Sequence, residues 1–366
     1  MKIRSWLGIL SALLCFAVSA EPKPGQGESE RYKVLVMGDA HFDGEEFHKV
    51  PPATEGRKSE RERNFKMWKS RSPALFAAAG KRADAEHVAF AVQLGDLAQG
   101  DGDNAKLQGE MIRKAFATLK KNFPDIPLLI VKGNHDIRVV GKGKNNAAAN
   151  AALLPIISTE LGRKVTKNSC YSFTRGRDLF IAVDGFIPAK NIEAFVRRTL
   201  AEHPDTRYVF FMTHLPLMPA SVGSPLWLVP GWDTIADMLE KRNTLILAAH
   251  THSPSLTTRT TGRGKLTQLV VSSMGNAWSG KRRNGGCGDW AAFSAAADKG
   301  VLRAKKPEKA QALWKAWKNS GDFTFRHLFG NSGFVVLDIG DEKVVARYYI
   351  SRSAKPGATL ELLKNR

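Results

Sequence analysis

The chain has 366 residues, 25% of them charged and 43% hydrophobic, and a formal net charge of +20. That length suits one large α/β domain or two ordinary ones. The charge raises encounter rates with polyanions and anionic surfaces without naming one. The bases are scattered (Arg57-Lys58, Arg61, Arg63, Lys120-Lys121, Lys142, Lys144, Lys281 to Arg283) and no block interleaves them with aromatics. A stacking platform for nucleic acid is therefore not legible, and nucleic acid stays unsupported as a partner.

Residues 1–20 read as a secretory signal peptide: Lys2 and Arg4 open it, Leu7 to Val18 are apolar, and Val18-Ser19-Ala20 is a small-residue cleavage site. The apolar stretch is too short to span a bilayer comfortably. Leu14 before Cys15 does not fit a lipoprotein attachment box. The expected mature chain starts near Glu21, secreted or periplasmic, with no stable membrane span after cleavage. Cys170 and Cys287 then remain in a compartment that permits oxidation, and the sequence leaves thiols or a bridge equally open.

Residues 21–31, rich in Pro, Gly and Glu, read as a flexible lead-in. A strand follows at 32–38, then a long polar loop at 42–64 and a helix at 65–80. His48 in that loop reads as a solvated residue, and Asp43 as a carboxylate behind the site or facing solvent. A second strand ends at Leu94. Gly100-Asp101-Gly102-Asp103-Asn104 lacks the downstream Glu of a calcium loop. Asp103 or Asn104 instead caps a helix at 105–121. A third strand ends at Gly133, and an Ala-rich helix covers 147–161. Residues 171–183 form a hairpin, followed by a helix at 191–202 and a strand running to His214. The Pro- and Trp-rich loop 215–231 leads into a helix at 232–242, with Asp233 at its start. Strands at 245–249, 256–261 and 266–273 come next. The stretch 275–290 holds Trp278, Lys281, Arg282, Arg283 and Trp290 and reads as an excursion near the site. A helix at 307–318 packs on the outside. Strands at 333–338 and 343–350 close a domain of residues 32–352, and 353–366 read as a loose basic tail.

Polar motifs follow the apolar runs in order: Asp39-Ala40-His41, Gly95-Asp96, Gly133-Asn134-His135-Asp136, Thr213-His214 and His250-Thr251-His252. Apolar runs of that length suit strands buried on both faces. The motifs therefore fall at strand ends, which in an α/β sheet gather on one rim. Oxygen and nitrogen donors without thiolate suit divalent Zn, Fe, Mn or Co.

This order of D-x-H, GD, GNHD, a lone His and H-x-H resembles the calcineurin-like metallophosphoesterase superfamily. One departure is Ala249, where the family usually has Gly before H-x-H. The resemblance implies an α/β fold: a four-layer α-β-β-α sandwich of two mixed sheets flanked by helices, in a single domain. It implies two divalent metal ions and a small phosphate-ester substrate. Asp39, His41, Asp96 and His252 would hold one ion. Asp96, Asn134, His214 and His250 would hold the other, with Asp96 shared. His135 would be the acid for the leaving oxygen, oriented by a carboxylate such as Asp136 or Asp43. No Tyr follows Gly95-Asp96, which sets the purple acid phosphatase branch aside. A phosphodiester is favoured slightly over a monoester. The alternatives are an extracellular nuclease of the same chemistry and a binding protein that turns nothing over. His87, His203 and His327 read as packed or exposed residues, and Asp184 as a strand-end or turn residue.

Overall fold

The computed structural model describes residues 31–52, 54–140, 143–275, 287–304, 306–328 and 332–365. The signal-peptide reading, the lead-in up to residue 30, and the basic part of the excursion (Lys281, Arg282, Arg283) lie outside the described residues.

Two large sheets form the centre. The first has six strands in the order β15-β14-β13-β1-β2-β3. Its parallel part is β1 (Tyr32–Met37), β2 (Phe90–Gln93) and β3 (Leu128–Ile130); β13 (Gly333–Ile339), β14 (Lys343–Ile350) and β15 (Ala358–Lys364) add antiparallel strands. The second has seven, in the order β12-β10-β11-β9-β8-β7-β6. Here β7 (Asp178–Ala182), β8 (Val209–Met212), β9 (Thr244–Ala248) and β11 (Gly264–Val270) run parallel. The antiparallel members are β6 (Tyr171–Arg175), β10 (Ser255–Thr261) and β12 (Asp322–His327). A small ribbon, β4 (Arg138–Val139) with β5 (Gly143–Lys144), lies apart.

The period-2 alternation of the second sheet explains the layering. Phe180, Ala182, Phe210, Met212, Leu245 and Leu247 join the core shared with the first sheet. Their neighbours Leu179, Ile181, Val209, Phe211 and Ile246 join a separate core on the other face. Phe180 is stacked on both Phe173 and Phe210, with ring centroids 4.9 and 4.5 Å apart. The outer layers are helical. On the first sheet lie α1 (Glu55–Ser70), α2 (Ser72–Ala85), α3 (Ala105–Lys120) and α4 (Asn146–Leu161), contributing Trp68, Phe76, Ile112 and Leu153 to its core. On the second lie α5 (Ala189–Glu202), α6 (Trp232–Leu239), α7 (Trp290–Val301) and α8 (Pro307–Lys318), contributing Val196, Ile235, Phe293 and Trp317. This is the four-layer α-β-β-α arrangement expected.

Four local expectations need correction. Residues 55–64 are helix, not loop: Thr54 accepts a hydrogen bond from the Arg57 amide and starts α1. No apolar period betrayed this helix, because Asn64 is its only fully buried residue among those described. The tail is not loose: β15 pairs with β14 and buries Leu360, Leu362 and Leu363. A register shift at Val344/Val345 breaks the simple alternation there. Strand β12 and helix α7 went unread. His48 is not solvated: its Nε2 meets the buried Asp43 carboxylate and its Nδ1 lies 3.0 Å from the Asp101 carbonyl.

Other expectations hold. Asn104 caps α3 by accepting from the Leu107 amide at 3.0 Å, while Asp103 accepts from the Lys49 and Val50 amides. Asp233 lies in the first turn of α6. Helix α8 lies on the outer side of the second sheet with Trp314 and Trp317 turned inward; full burial of such a ring contributes about 1.5–3 kcal/mol. Asp184, just beyond β7, is buried against the Lys132 ammonium. Cys170 and Cys287, for which the sequence left thiols or a bridge equally open, are free thiols, and burial pushes Cys170 up to about 12. His87 follows α2, His203 is the C-cap of α5, and His327 ends β12.

Candidate metal centre

Parallel strands from both sheets end at one rim, and each carries a polar motif there. Asp39 and His41 follow β1, Asp96 follows β2, Asn134 and His135 follow β3, His214 follows β8, and His250 and His252 follow β9. The sheets are tied at this rim by a parallel bridge between Gly38 and Ser273, and by the Ser273 hydroxyl, which donates to the Asp39 carbonyl at 2.8 Å.

The chain turns sharply to aim these side chains. Asp39, His41, Asp96, His250 and His252 all adopt positive φ, between 45° and 69°. A non-glycine residue in that region is uncommon and costs of order 1–3 kcal/mol. The surrounding packing holds it in place. A Cβ on Gly133 would collide with the amide and carboxylate of Asp96, so the GD and GNHD turns touch through glycine. Ala249 does not have positive φ, so the methyl in place of the family's Gly is accommodated. It sits against Gly38, where a Cβ would lie only 2.7 Å from that methyl.

Two groups of buried donors result. Asp39, His41, Asp96 and His252 converge in one, and Asp96, His214 and His250 in the other. In the first, His41 Nε2 lies 3.0 Å from His252 Nε2, and His252 Nε2 lies 3.3 Å from Asp39 Oδ1. In the second, His214 Nε2 lies 3.0 Å from Asn134 Oδ1, 3.1 Å from His250 Nδ1 and 3.3 Å from Asp96 Oδ2. The structure thus brings together every residue that the sequence placed at the two ions, with Asp96 common to both groups.

These groups fit divalent cations on physical grounds. His214 Nδ1 donates to the Leu94 carbonyl at 2.8 Å, since a carbonyl only accepts; its Nε2 is left to face the other donors. Burial pushes the His41 imidazole well below its ordinary value, and His135 and His252 add to this, so it is the neutral, ligating form. Asp39 Oδ1 is buried and accepts no hydrogen bond. Burial opposes charge on His214, yet Asp96 and then Asp39 lift its pKa to about 9. The field at that point calls for positive charge, which a metal ion supplies.

His135 lies against the first group, its ring edge-on to His41 with centroids 4.5 Å apart. Its amide donates to Asp96 Oδ1 at 2.7 Å and its Nδ1 to the Gln99 carbonyl at 2.6 Å. The expected orienting carboxylates are engaged elsewhere. Asp136 accepts from the amides of Ala98 and Gly133, and Asp43 is bonded to His48. Burial and then the charge of Asp96 push Asp136 up to about 7. What faces His135 Nε2 instead is Arg138 Nη1 at 2.8 Å, with Glu60 Oε1 at 3.7 Å and Asp96 Oδ2 at 3.9 Å. Arg138 is fixed by Asp101 and Glu60. Sequence reading missed Glu60 and Arg138. Recognising Thr54 as a helix cap would have put Arg57 and Glu60, three apart, on one side of α1.

A cleft of about 730 Å3 opens from Asn134 and His250 toward Arg57, Lys144, Phe186, Leu215 and Trp227. Among the described residues no helix is long and apolar enough to cross a membrane.

The family model for calcineurin-like phosphoesterases matches residues 32–254, more than half of the chain. A comparison with curated protein sequences finds no match. Among solved structures, the chain is similar to a dimetal phosphatase from Danio rerio, at 10% identity and a TM-score of 0.50, covering 91% of this chain and 99% of that one. It is also similar to the structure of PhoD, at 11% identity and a TM-score of 0.51, covering 93% of this chain and 70% of that one. At such identities the two structures speak for the fold, and the activity class comes from the family match together with the buried Asp and His groups. The chain belongs to the calcineurin-like phosphoesterase family and is a hydrolase of phosphoric esters.

Proposed function

We infer that the protein is an exported, metal-dependent phosphodiesterase in which Asp96 is shared by two divalent ions. The observation that carries this reading is the meeting of two buried donor groups on one carboxylate, with His135 Nε2 3.9 Å from the same oxygen. Asp39, His41, Asp96 and His252 would hold one ion; Asp96, Asn134, His214 and His250 would hold the other. Two such ions supply Lewis acidity, making water nucleophilic near neutral pH and taking up charge that develops on the phosphoryl oxygens. Manganese, iron, zinc and cobalt all suit the donor set.

The remaining work falls to the chain. Asn134 contributes a neutral oxygen, which keeps the site from accumulating negative charge against an anionic substrate. His135 gives its proton to the leaving oxygen. The Gln99 carbonyl holds one proton on Nδ1, so Nε2 is the nitrogen that faces the reacting centre, and it carries a proton to give only in the imidazolium, which burial and Arg138 oppose and Asp96 and Glu60 favour. Arg138, held by Asp101 and Glu60, stands beside that Nε2 and steadies the oxygen as it departs.

A diester is favoured over a monoester by charge. Arg138 shares its charge with Asp101 and Glu60, and Arg57 shares its own with Asp101. Among the described residues that line the cleft, Lys144 is the one lysine or arginine outside these pairs, a modest charge for a monoester dianion, whereas a diester carries a single negative charge and a second arm that the cleft accommodates. The expected result is faster turnover of a bis-aryl than a mono-aryl phosphate, measured with Mn or Zn added and metal content determined on the same preparation. A preference for the monoester would overturn the diester assignment; no turnover of either by metal-loaded protein would leave a binding protein.

Export is supported by the sequence of residues 1–20. Mass spectrometry of protein from the producing cell should find a mature N-terminus near Glu21, outside the cytoplasm. Met1 or Lys2 retained on cytosolic protein would sink this reading.

A further inference from the structure

The cleft beside the second donor group is built around two rings. Trp227 packs against His250 with centroids 4.5 Å apart at 60°, and Phe186 lies 6.4 Å from His214. Both rings line the same cleft. Trp227 is 58% exposed, more than any other large hydrophobic side chain among the described residues. An indole left in water forgoes the burial that usually fixes its place.

The loop that carries it is anchored. The amides of Leu217 and Met218 both donate to Gln268 Oε1 at 2.8 Å, and Gln268 Nε2 donates back to the Met218 carbonyl at 2.9 Å. The Val229 amide donates to the Pro216 carbonyl at 3.0 Å, closing the loop around Trp227. An exposed indole on a pinned loop, in edge contact with a residue of the metal centre, is a preformed apolar surface at the reaction site.

Its side of the centre decides which part of a substrate it meets. His135 stands by His41, in the first donor group, and Trp227 stands by His250, in the second. A leaving group that takes its proton from His135 departs on the first side. The ester arm that stays on phosphorus lies toward His250.

We propose that Trp227 is a specificity-determining residue that stacks on a planar aromatic group carried by the retained arm of the diester. The natural substrate class is then a phosphodiester with an aromatic or heteroaromatic retained arm, and Phe186 bounds the same space. This rests on the diesterase reading given above. Stacking tolerates many rings, because each presents a π-face. It therefore sets a class of arm, not one compound.

The test uses the metal-loaded protein and two substrates with the same leaving group, bis-nitrophenyl phosphate and methyl nitrophenyl phosphate. They differ only in the retained arm. Wild type should favour the aryl arm in kcat/KM. Trp227→Ala should cut that preference by about 10–100-fold, the range of a lost base–aromatic stack. Trp227→Phe should keep most of it. Metal content is measured for each variant, because Trp227 also touches His250. Equal losses on both substrates, or losses that follow metal content, would mean that Trp227 only braces His250 and would overturn the proposal. Diester turnover by wild type without arm preference would overturn the proposal alone. Turnover of monoesters only would remove the diesterase reading and the retained-arm assignment with it.

Discussion

Asp96→Asn should lower kcat on every phosphoester by about 10³-fold or more, and metal content should fall with it. Loss of a single preorganised group that meets transition-state charge already costs about 10²–10³-fold. Asp96 does more than one such task. Its Oδ2 lies 3.3 Å from His214 Nε2 and 3.9 Å from His41 Nε2, so one carboxylate reaches both donor groups. Its Oδ1 accepts from the His135 amide. Asparagine has nearly the same shape and can still accept that hydrogen bond, so the turn survives while the bridging charge goes. Metal analysis, thermal unfolding and turnover on one preparation separate the possibilities. Unchanged metal and turnover would remove the bridging role. Loss of fold would assign Asp96 to the turn instead of the chemistry.

His135→Ala should leave the metals bound and show a loss that depends on the leaving group. A general acid contributes typically about 10²–10⁴-fold, most where the departing alkoxide is a poor leaving group. An alkyl diester should therefore lose most of that factor, and a nitrophenyl diester much less, because nitrophenolate departs with little help. Ratios of kcat for the two substrates in wild type and variant give the answer. Equal losses would mean that His135 positions substrate or metal. Arg138 sharpens the comparison, because its Nη1 lies 2.8 Å from the same His135 Nε2. It stays in place through Asp101 and Glu60 when the imidazole is gone.

The motif residues were legible because they combine two local signals. Each follows a β-branched or aromatic run of strand length, and each is a donor type that metal chemistry needs. Strand ends in an α/β sheet gather on a rim, so the motifs could be placed there from their order, and the family resemblance that this order carries picked out Asp39, His41, Asp96, Asn134, His214, His250 and His252 as the donors. The cap at Asn104 was legible too, since its hydrogen bond to the Leu107 amide is local.

The orientation of His135 was not legible. Adjacent or nearby carboxylates looked suitable, but Asp136 is drawn into the GD and GNHD turns by the Ala98 and Gly133 amides. The group that does fix Nδ1 is a backbone carbonyl, that of Gln99, and a carbonyl leaves no trace in residue identity. Helix α1 was hidden for a related reason. It lies over the site through polar contacts such as Asn64 to Gln99 Oε1 and Glu60 to Arg138, and a helix without an apolar stripe carries no 3.6-residue signal.

The sequence by itself determined the donor types and their placement at five strand ends, because these depend on residue type and local periodicity, and the order of the motifs carried the family resemblance that implied two sheets. Only the tertiary structure decided that Arg138 and Glu60 attend His135, that the Gln99 carbonyl fixes its Nδ1, and that Trp227 stands open beside His250. These are contacts between segments far apart in the chain, fixed by how two sheets close on one rim. Local propensity carries no information about such distances.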